Sequence, residues 1–371
     1  MNLSAKSKEI GPNLFASVMG TGIIANAAVT LPGIENTLDI LGLVFWLTAT
    51  VLLFILTVLK IFQAITRPHI IKKQFDDPVM GQFFGAPPMA FLTVAGGFVL
   101  LGGNIVPHEH AITIAWWLWI IGTVLGLMTA ITIPYLLFTR YTIRDDAAFG
   151  GWLMPVVPPM VSAAVGALLI PYAGSAEAKV LMLYGCYCFF GISFMASLII
   201  ITMIWSRLAH SGSSGGGRVP TLWIILGPLG QSITAAGALG TIAITILPEP
   251  KGATFNDLSL IFGLPVWGFA MFWGVIASLL TIRAHKLNMK FGLTWWAFTF
   301  PVGTCVTGTA QIANHSKLPF FEIAAYLLFL FLLIAWLIAA IGTAKGVANG
   351  ELLSPPTNAP DVIAKKHNDS L

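Results

Sequence analysis

The segment FTFPVGTCVTGTAQ, residues 298–311, lies in a long stretch without charged residues, but it is a poor sequence for an ordinary membrane-spanning helix. It opens with aromatic residues, contains Pro301, and then mixes threonines with glycines up to Gln311. Proline removes a backbone hydrogen bond from a helix, and within a bilayer the freed polar groups must be satisfied by protein or water. The segment therefore predicts a kinked helix that lies inside a membrane protein.

The rest of the chain has the composition of a membrane protein. Of its 371 residues, 57% are hydrophobic and 9% are charged, whereas soluble domains carry roughly 25% charged residues. Apolar runs of about 20 residues, enough to cross a ~30 Å hydrocarbon core as a helix, recur from Leu14 to Gly342. We predict an all-α membrane protein with ten transmembrane helices, at residues 13–31, 38–64, 83–106, 111–139, 151–173, 178–206, 220–247, 256–282, 292–314 and 318–343.

The distribution of basic residues predicts the orientation of these helices. Of the 19 Lys and Arg residues, 16 fall on the side of the N-terminus, and only Lys179, Lys251 and Lys317 fall on the other side. Cytoplasmic loops carry the excess of positive charge, so both termini are expected in the cytoplasm, with the chain in the cytoplasmic (inner) membrane. The basic pI of about 9.0 then follows from topology and does not indicate a nucleic-acid partner.

Three segments follow from the spans and the orientation. Residues 1–12 form a cytoplasmic N-terminal segment, residues 13–343 form the ten-helix transmembrane domain, and residues 344–371 form a disordered cytoplasmic tail. The tail contains SPPTNAPD and KKHNDS, which are too polar to build a core.

Odd-numbered and even-numbered spans differ in character. The odd spans hold seven prolines and the even spans two, Pro134 and Pro265. Because a broken helix is tolerated only where protein or water satisfies its backbone, we expect the odd spans inside and the even spans outside, as five helical hairpins around a central pore. We expect the odd helices to be kinked at Gly20, Pro88, Pro158, Pro228 and Pro301. The alternative is that Gly and Pro are simply common in membrane helices.

Each odd span also carries small or polar residues at helical spacing, and residues three or four apart share a face of a helix. We expect these faces to line the pore, and the alternative is that they pack helices together. The expected lining residues are Ser17, Thr21, Thr93, Ser162, Gln231, Thr234, Thr304, Thr307 and Gln311.

No Lys, Arg, Asp or Glu lies near the middle of a predicted span. This disfavours a proton pump or a tightly coupled cation carrier, since such proteins use ionisable residues at the midplane. An anion remains possible, because broken helices present partially positive ends that hydroxyl groups supplement. No His, Asp or Glu cluster suggests a catalytic or metal site, so we predict no enzyme activity and no cofactor.

Two motifs resemble a known family. FASVMGTGI, residues 15–23, and WWAFTFP, residues 295–301, are similar to motifs of the tellurite-resistance/dicarboxylate transporter family. This family includes the plant slow anion channel and the fungal malate permease and sulfite efflux branch. The resemblance implies five hairpins around a pore and assembly as a homotrimer. It further implies that Phe300 plugs the pore and that Ala16 faces the plug, where the bacterial relative has glycine.

The expected function is therefore the transport of small anions. The expected anion is either sulfite or a C4-dicarboxylate such as malate. One alternative is a gated channel for chloride or nitrate. Another is efflux of tellurite or of lipophilic cations, which is disfavoured because no span carries a membrane-embedded carboxylate. The expected partners are the anion, the lipid bilayer and two further copies of the chain.

Overall fold

The computed structural model describes residues 9–33, 38–213 and 217–349, together with the backbone of residues 363–366. The described residues form eleven α-helices: α1 (Phe15–Ala28), α2 (Asp39–Thr66), α3 (Pro68–Phe75), α4 (Ala86–Leu101), α5 (His108–Arg140), α6 (Pro158–Leu169), α7 (Ala176–Ser211), α8 (Leu226–Ile246), α9 (Lys251–Lys286), α10 (Phe300–Ser316) and α11 (Pro319–Ala348). Two short strands, β1 (Tyr141–Ile143) and β2 (Ile363–Lys366), pair antiparallel.

The protein is an all-helical, multi-pass membrane protein, as the sequence predicted. Within the described ranges, seven helical segments are long and apolar enough to cross a bilayer. Five of these are α2, α5, α7, α9 and α11, and the other two are Gly81–Asn104 and Val219–Ile246, which contain α4 and α8 with their flanking 3-10 turns. The helices α1, α6 and α10 are shorter, so the count of ten spans stays a prediction.

Burial divides the helices into two sets. In the most apolar window of each long segment, 67% of residues are buried for Gly81–Asn104 and 89% for Val219–Ile246, against 22% to 28% for the other five. The short helices α1, α6 and α10 are almost wholly buried as well. The exposed helices present large aliphatic and aromatic side chains on their outer faces, as lipid contact requires.

Each buried helix contacts the next buried helix along the chain, and the last one contacts the first. Helix α1 contacts α4, α4 contacts α6, α6 contacts α8, α8 contacts α10, and α10 contacts α1. Each exposed helix contacts the buried helix that precedes it, in the pairs α1 with α2, α4 with α5, α6 with α7, α8 with α9, and α10 with α11.

Glycines allow the closest of these approaches. A Cβ atom on Gly230 of α8 would lie 2.5 Å from the backbone nitrogen of Cys305 on α10, and a Cβ on Gly308 would lie 2.8 Å from the carbonyl oxygen of Gly230. Small residues let membrane helices pack by dispersion contacts, which replace the hydrophobic effect inside a bilayer.

The structure places the four prolines of the predicted kinks near the starts of buried helices. The prolines do not interrupt the buried helices but lie in their first turns: Pro88 is the third residue of α4, Pro158 the first of α6, Pro228 the third of α8 and Pro301 the second of α10. Proline is tolerated there because first-turn N–H groups have no partner within the helix. The helix α1 runs continuously through Gly20.

What breaks each buried segment is instead a 3-10 turn before the helix. Such turns cover Pro12–Leu14 before α1, Gly81–Gly85 before α4, Gly150–Leu153 in the segment that leads to α6, Val219–Ile225 before α8, and Leu293–Phe298 before α10. These turns and the helices that follow them are both apolar, so hydropathy alone does not separate them.

The segments around the helical domain are partly described. Helix α11 continues to Ala348, past the predicted end at residue 343, and residues 363–366 form β2, so the segment predicted as a disordered tail contains regular structure. The rest of that segment, and residues 1–8 of the predicted N-terminal segment, lie outside the described residues. A salt bridge of 2.8 Å joins Arg140, the last residue of α5, to Asp76, which directly follows α3.

Candidate functional site

The starts of the five buried helices surround a single cavity with a volume of about 350 Å3. A helix N-terminus carries a partial positive charge, so five such ends around one space favour negative charge within it. The start of each of these helices contributes a residue to the cavity wall. These residues are Ala16 of α1, Met89 of α4, Val157 directly before α6, Pro228 of α8 and Pro301 of α10.

The wall of this cavity is mostly apolar. Four methionines contribute to it, and its polar side chains come from Asn13, Thr221 and Thr294. No Lys, Arg, His, Asp or Glu among the described residues lines it. The cavity therefore has no fixed cation that would hold an anion tightly, and its preference for negative charge comes from helix ends alone.

Phe300 lines the cavity, as do Ala16 and Pro301. It is the first residue of α10, and only 3% of its surface is exposed. Phe298 lies two residues earlier but has a different environment. Its ring packs against Trp223 and Trp295, at centroid distances of 5.2 Å and 5.6 Å, and it does not line the cavity.

Beyond Phe300, a row of polar residues lies where α8 meets α10. The hydroxyl groups of Thr234 and Thr307 are 2.7 Å apart. Thr304 is fully buried and donates to the carbonyl oxygen of Pro301 at 2.7 Å. Gln311 packs on Gly237, whose added Cβ would lie 2.7 Å from the Cβ of Gln311. Thr234 and Gln311 are half-buried, so the row becomes more open away from Phe300.

Other predicted lining residues point toward neighbouring helices. The hydroxyl of Thr21 accepts a hydrogen bond from the indole of Trp336 on α11 at 2.9 Å, and that of Ser162 accepts one from Thr123 on α5 at 3.0 Å. The hydroxyl of Thr93 donates to its own helix at Met89. The bonds of Thr21 and Ser162 join neighbouring helices, as the packing alternative for the polar stripes expects.

The remaining two predicted lining residues have less distinctive surroundings. Ser17 is half-buried and its hydroxyl donates to the carbonyl oxygen of Leu14 at 2.7 Å. Gln231 is 4% exposed and lies one turn before Thr234 on α8. Gly20 packs closely, because an added Cβ there would lie 2.7 Å from the ring of Trp296 and would also overlap Thr299.

A family model matches most of the chain. The model described as "SLAC1: Voltage-dependent anion channel" covers residues 9–344, which span all of the described helices but the end of α11. The chain belongs to the SLAC1 family. This confirms the resemblance drawn from the two sequence motifs, and at the level of the family the function is anion transport across a membrane, without enzyme activity.

Three relatives are similar to this chain over most of its length. A sulfite efflux pump, SSU1, of Trichophyton rubrum is 27% identical over 84% of this chain and 84% of its own length. An uncharacterized transporter of Methanocaldococcus jannaschii is 25% identical over 95% of this chain and 98% of its own. A malic acid transport protein of Schizosaccharomyces pombe is 20% identical over 91% of this chain and 78% of its own.

In this SLAC1-family chain, the structure also reveals polar residues that the sequence analysis missed. His315 on α10 donates through Nδ1 to the carbonyl oxygen of Gln311 at 2.7 Å. Its Nε2 lies 2.7 Å from Oδ1 of Asn256 and 3.4 Å from the hydroxyl of Thr241. His315 follows Gln311 by four residues, so the spacing that identified the stripe on α10 also contains the signal for this residue.

Asn26 of α1 was missed as well. Its amide nitrogen donates to the carbonyl oxygen of Thr93 at 3.1 Å, while its Oδ1 is buried and accepts no hydrogen bond from the described residues. A Cβ added to Gly96 of α4 would lie 3.1 Å from this amide and 3.5 Å from Val165 of α6. Asn26 therefore lies where α1, α4 and α6 come together. A single asparagine in an apolar helix gives no periodic signal from which this position can be found.

Proposed function

We propose that the chain carries small anions along the axis of a ring formed by α1, α4, α6, α8 and α10, with each of these helices backed by the exposed helix that follows it as a hairpin. The closed order of contacts among the buried helices supports this arrangement. The single cavity at their starts supports a path that enters the ring from that side. In this arrangement, five buried segments and five exposed helices make up the ten predicted spans.

The proposed gate is Phe300. Its contribution to the wall of the cavity, which Ala16 also lines, supports the role that the family resemblance implied. In this proposal the ring blocks the passage because it offers neither a hydrogen bond nor water to a desolvated anion. The methyl group of Ala16 makes the constriction tighter than glycine would.

Beyond the gate, we propose that Gln231, Thr234, Thr307 and Gln311 line the path. The increasing exposure of this face of α8 and α10 away from Phe300 supports their role. Hydroxyl and amide groups there replace part of the anion's hydration without binding it strongly, which suits fast release. Thr21, Thr93, Ser162 and Thr304 are left out of this lining, because at most 2% of each residue is exposed.

For the substrate, we propose sulfite or a C4-dicarboxylate such as malate. The sulfite efflux pump and the malic acid transport protein among the relatives support this choice. The absence of a fixed cation from the described cavity wall favours a second candidate, a channel for chloride or nitrate, since a weak site selects ions by their dehydration.

We further propose that the chain lies in the cytoplasmic membrane with both termini in the cytoplasm, so that the cavity faces the cytoplasm. The concentration of 16 of the 19 Lys and Arg residues on that side supports this orientation. The homotrimer implied by the family resemblance completes the proposal, with one path in each copy.

The deciding experiment measures current through purified protein in planar lipid bilayers, under gradients of chloride, nitrate, sulfite and malate. We expect Phe300→Ala to conduct with a reversal potential that follows the preferred anion, and the wild type to conduct much less. Phe298→Ala is the matched control, because it removes an equally buried ring that does not line the cavity. Equal currents from folded wild type and Phe300→Ala would exclude Phe300 as the gate, and a reversal potential that follows the cation would exclude anion transport.

A further inference from the structure

A second cavity, of about 360 Å3, opens on the outer surface between α9 and α11. Val275 and Leu279 of α9 and Leu327 of α11 surround its mouth, and each of these side chains is at least 60% exposed. Both helices are long and apolar enough to span a bilayer, so the mouth opens toward lipid rather than toward water.

The wall of this lateral cavity offers almost nothing to a polar ligand. Among its side chains, the hydroxyl of Ser278 already donates to the carbonyl oxygen of Gly274 at 2.7 Å, and the indole of Trp223 donates to Thr281 at 2.9 Å. The remaining wall is aliphatic or aromatic, apart from the thiol of Cys305. An unfilled space of this kind loses dispersion contacts, and a water molecule there would find too few partners.

Part of the floor of the cavity is formed by α10, the helix that begins with Phe300. Val302 and Cys305 of α10 form part of it, although residues 300–310 are otherwise buried on every side. A Cβ added to Gly274 meets no atom within 4 Å, so the space begins directly at the backbone of α9. The ring of Phe331 at the mouth stacks on Trp223 at 5.3 Å, and this stack bounds the cavity at one side.

We propose that this lateral cavity is a binding site for the acyl chain of a membrane lipid, which passes between α9 and α11 and contacts Val302 and Cys305. Acyl chains are the medium that surrounds the mouth, and they match the apolar wall. The site places lipid against the helix that begins with Phe300. The proposal concerns lipid binding alone, so it stands or falls independently of the transported anion.

The test uses the full chain in lipid nanodiscs that contain a phosphatidylcholine with a photoactivatable diazirine near the end of one acyl chain. After irradiation, labelled peptides are mapped by mass spectrometry. We expect label on α10 at Val302 or Cys305, because the cavity is the route by which lipid reaches this buried helix. Label on the exposed faces of α9 and α11 is expected in any case and serves as the internal standard.

Filling the cavity provides the matched comparison. Gly274→Phe should abolish the label on α10 and leave that on the outer face of α9. Gly268→Phe is the control, because Gly268 is exposed on the same helix, has no atom within 4 Å of an added Cβ and does not line the cavity. Gly274→Leu repeats the test with a smaller side chain if Gly274→Phe does not elute as a folded protein.

Two outcomes would overturn the proposal. The first is α10 without label in folded wild-type protein. The second is label on α10 that persists in folded Gly274→Phe or Gly274→Leu.

Discussion

At the scale of single residues, the position of Phe300 follows from its neighbours. Pro301 fits the second position of α10, where no backbone N–H is needed, and thereby makes Phe300 the first residue of the helix. The preceding 3-10 turn holds Phe298 among Trp223 and Trp295, so that the two phenylalanines occupy different environments. Phe300 thus begins the helix that follows the 3-10 turn, and at this position it lines the cavity.

The partnership of Phe300 with Ala16 leads to a test in a double variant. In the Phe300→Ala background, we expect Ala16→Leu to lower anion current on the order of tenfold, because an added isobutyl group would restore an apolar constriction that excludes water. Bilayer recordings measure the effect. Ala16→Ser, which keeps the side chain small, should leave the current close to that of Phe300→Ala, and an unchanged current in Ala16→Leu would separate Ala16 from the path.

The polar residues show how far sequence reasoning reached at this scale. Helical spacing placed Thr307 and Gln311 on one face of α10 and Thr234 on one face of α8, because period alone determines which residues of a helix share a face. It did not show that these two faces meet. The lining role predicted for Thr21 and Ser162 stays a prediction. Their hydroxyls bond to Trp336 and Thr123 on the exposed helices, and a repeat within one helix carries no information about which neighbour it meets.

At the scale of elements, the 3-10 turns pack against each other as closely as the helices do. The turn that contains Gly150 contacts the turn that contains Thr221, and a Cβ on Gly150 would overlap the carbonyl oxygen of Thr221. Thr221 also lines the cavity, so the close packing at Gly150 fixes the position of part of the cavity wall.

This packing predicts a loss of stability for Gly150→Ala. Overpacking against a backbone carbonyl costs about 1 to 3 kcal/mol, so we expect unfolding at a lower temperature in detergent. Thermal unfolding followed by tryptophan fluorescence measures the shift. Gly191→Ala on α7 is the control, because its Cβ meets no atom within 4 Å and alanine favours the helix by ~1 kcal/mol. Equal unfolding temperatures for both variants would contradict the close contact.

At the scale of the whole molecule, the parity of the spans separates the lipid-facing helices from the buried ones. The exposed helices needed only length and apolar character, so their sequences are simple and their positions were predicted closely. In the proposed ring, the buried helices alternate with the exposed ones because each chain segment must return across the bilayer before the next buried helix begins.

The orientation of this assembly gives the corresponding prediction. Gly174→Cys, in the exposed turn before α7, should react with a membrane-impermeant maleimide on intact cells, whereas Ser213→Cys, just after α7, should react only after permeabilisation. The reason is the excess of Lys and Arg on the side of Ser213. Labelling of the wild-type protein measures the background reaction of its three native cysteines. The reverse pattern would invert the topology and place the cavity outside the cell.

The membrane class, the approximate ends of the helices and the division into buried and exposed segments follow from the amino-acid sequence. Apolar length, proline position and residue type act locally or through the bilayer, so they can be interpreted without knowing the partners of a helix. A sequence motif also pointed to Phe300. The packing of the helices was needed to show that the prolines lie at helix starts, which hydroxyls are already bonded, and that Asn26 and His315 join polar contacts. Each of these depends on residues distant in the chain, and one helix's pattern does not specify its neighbours.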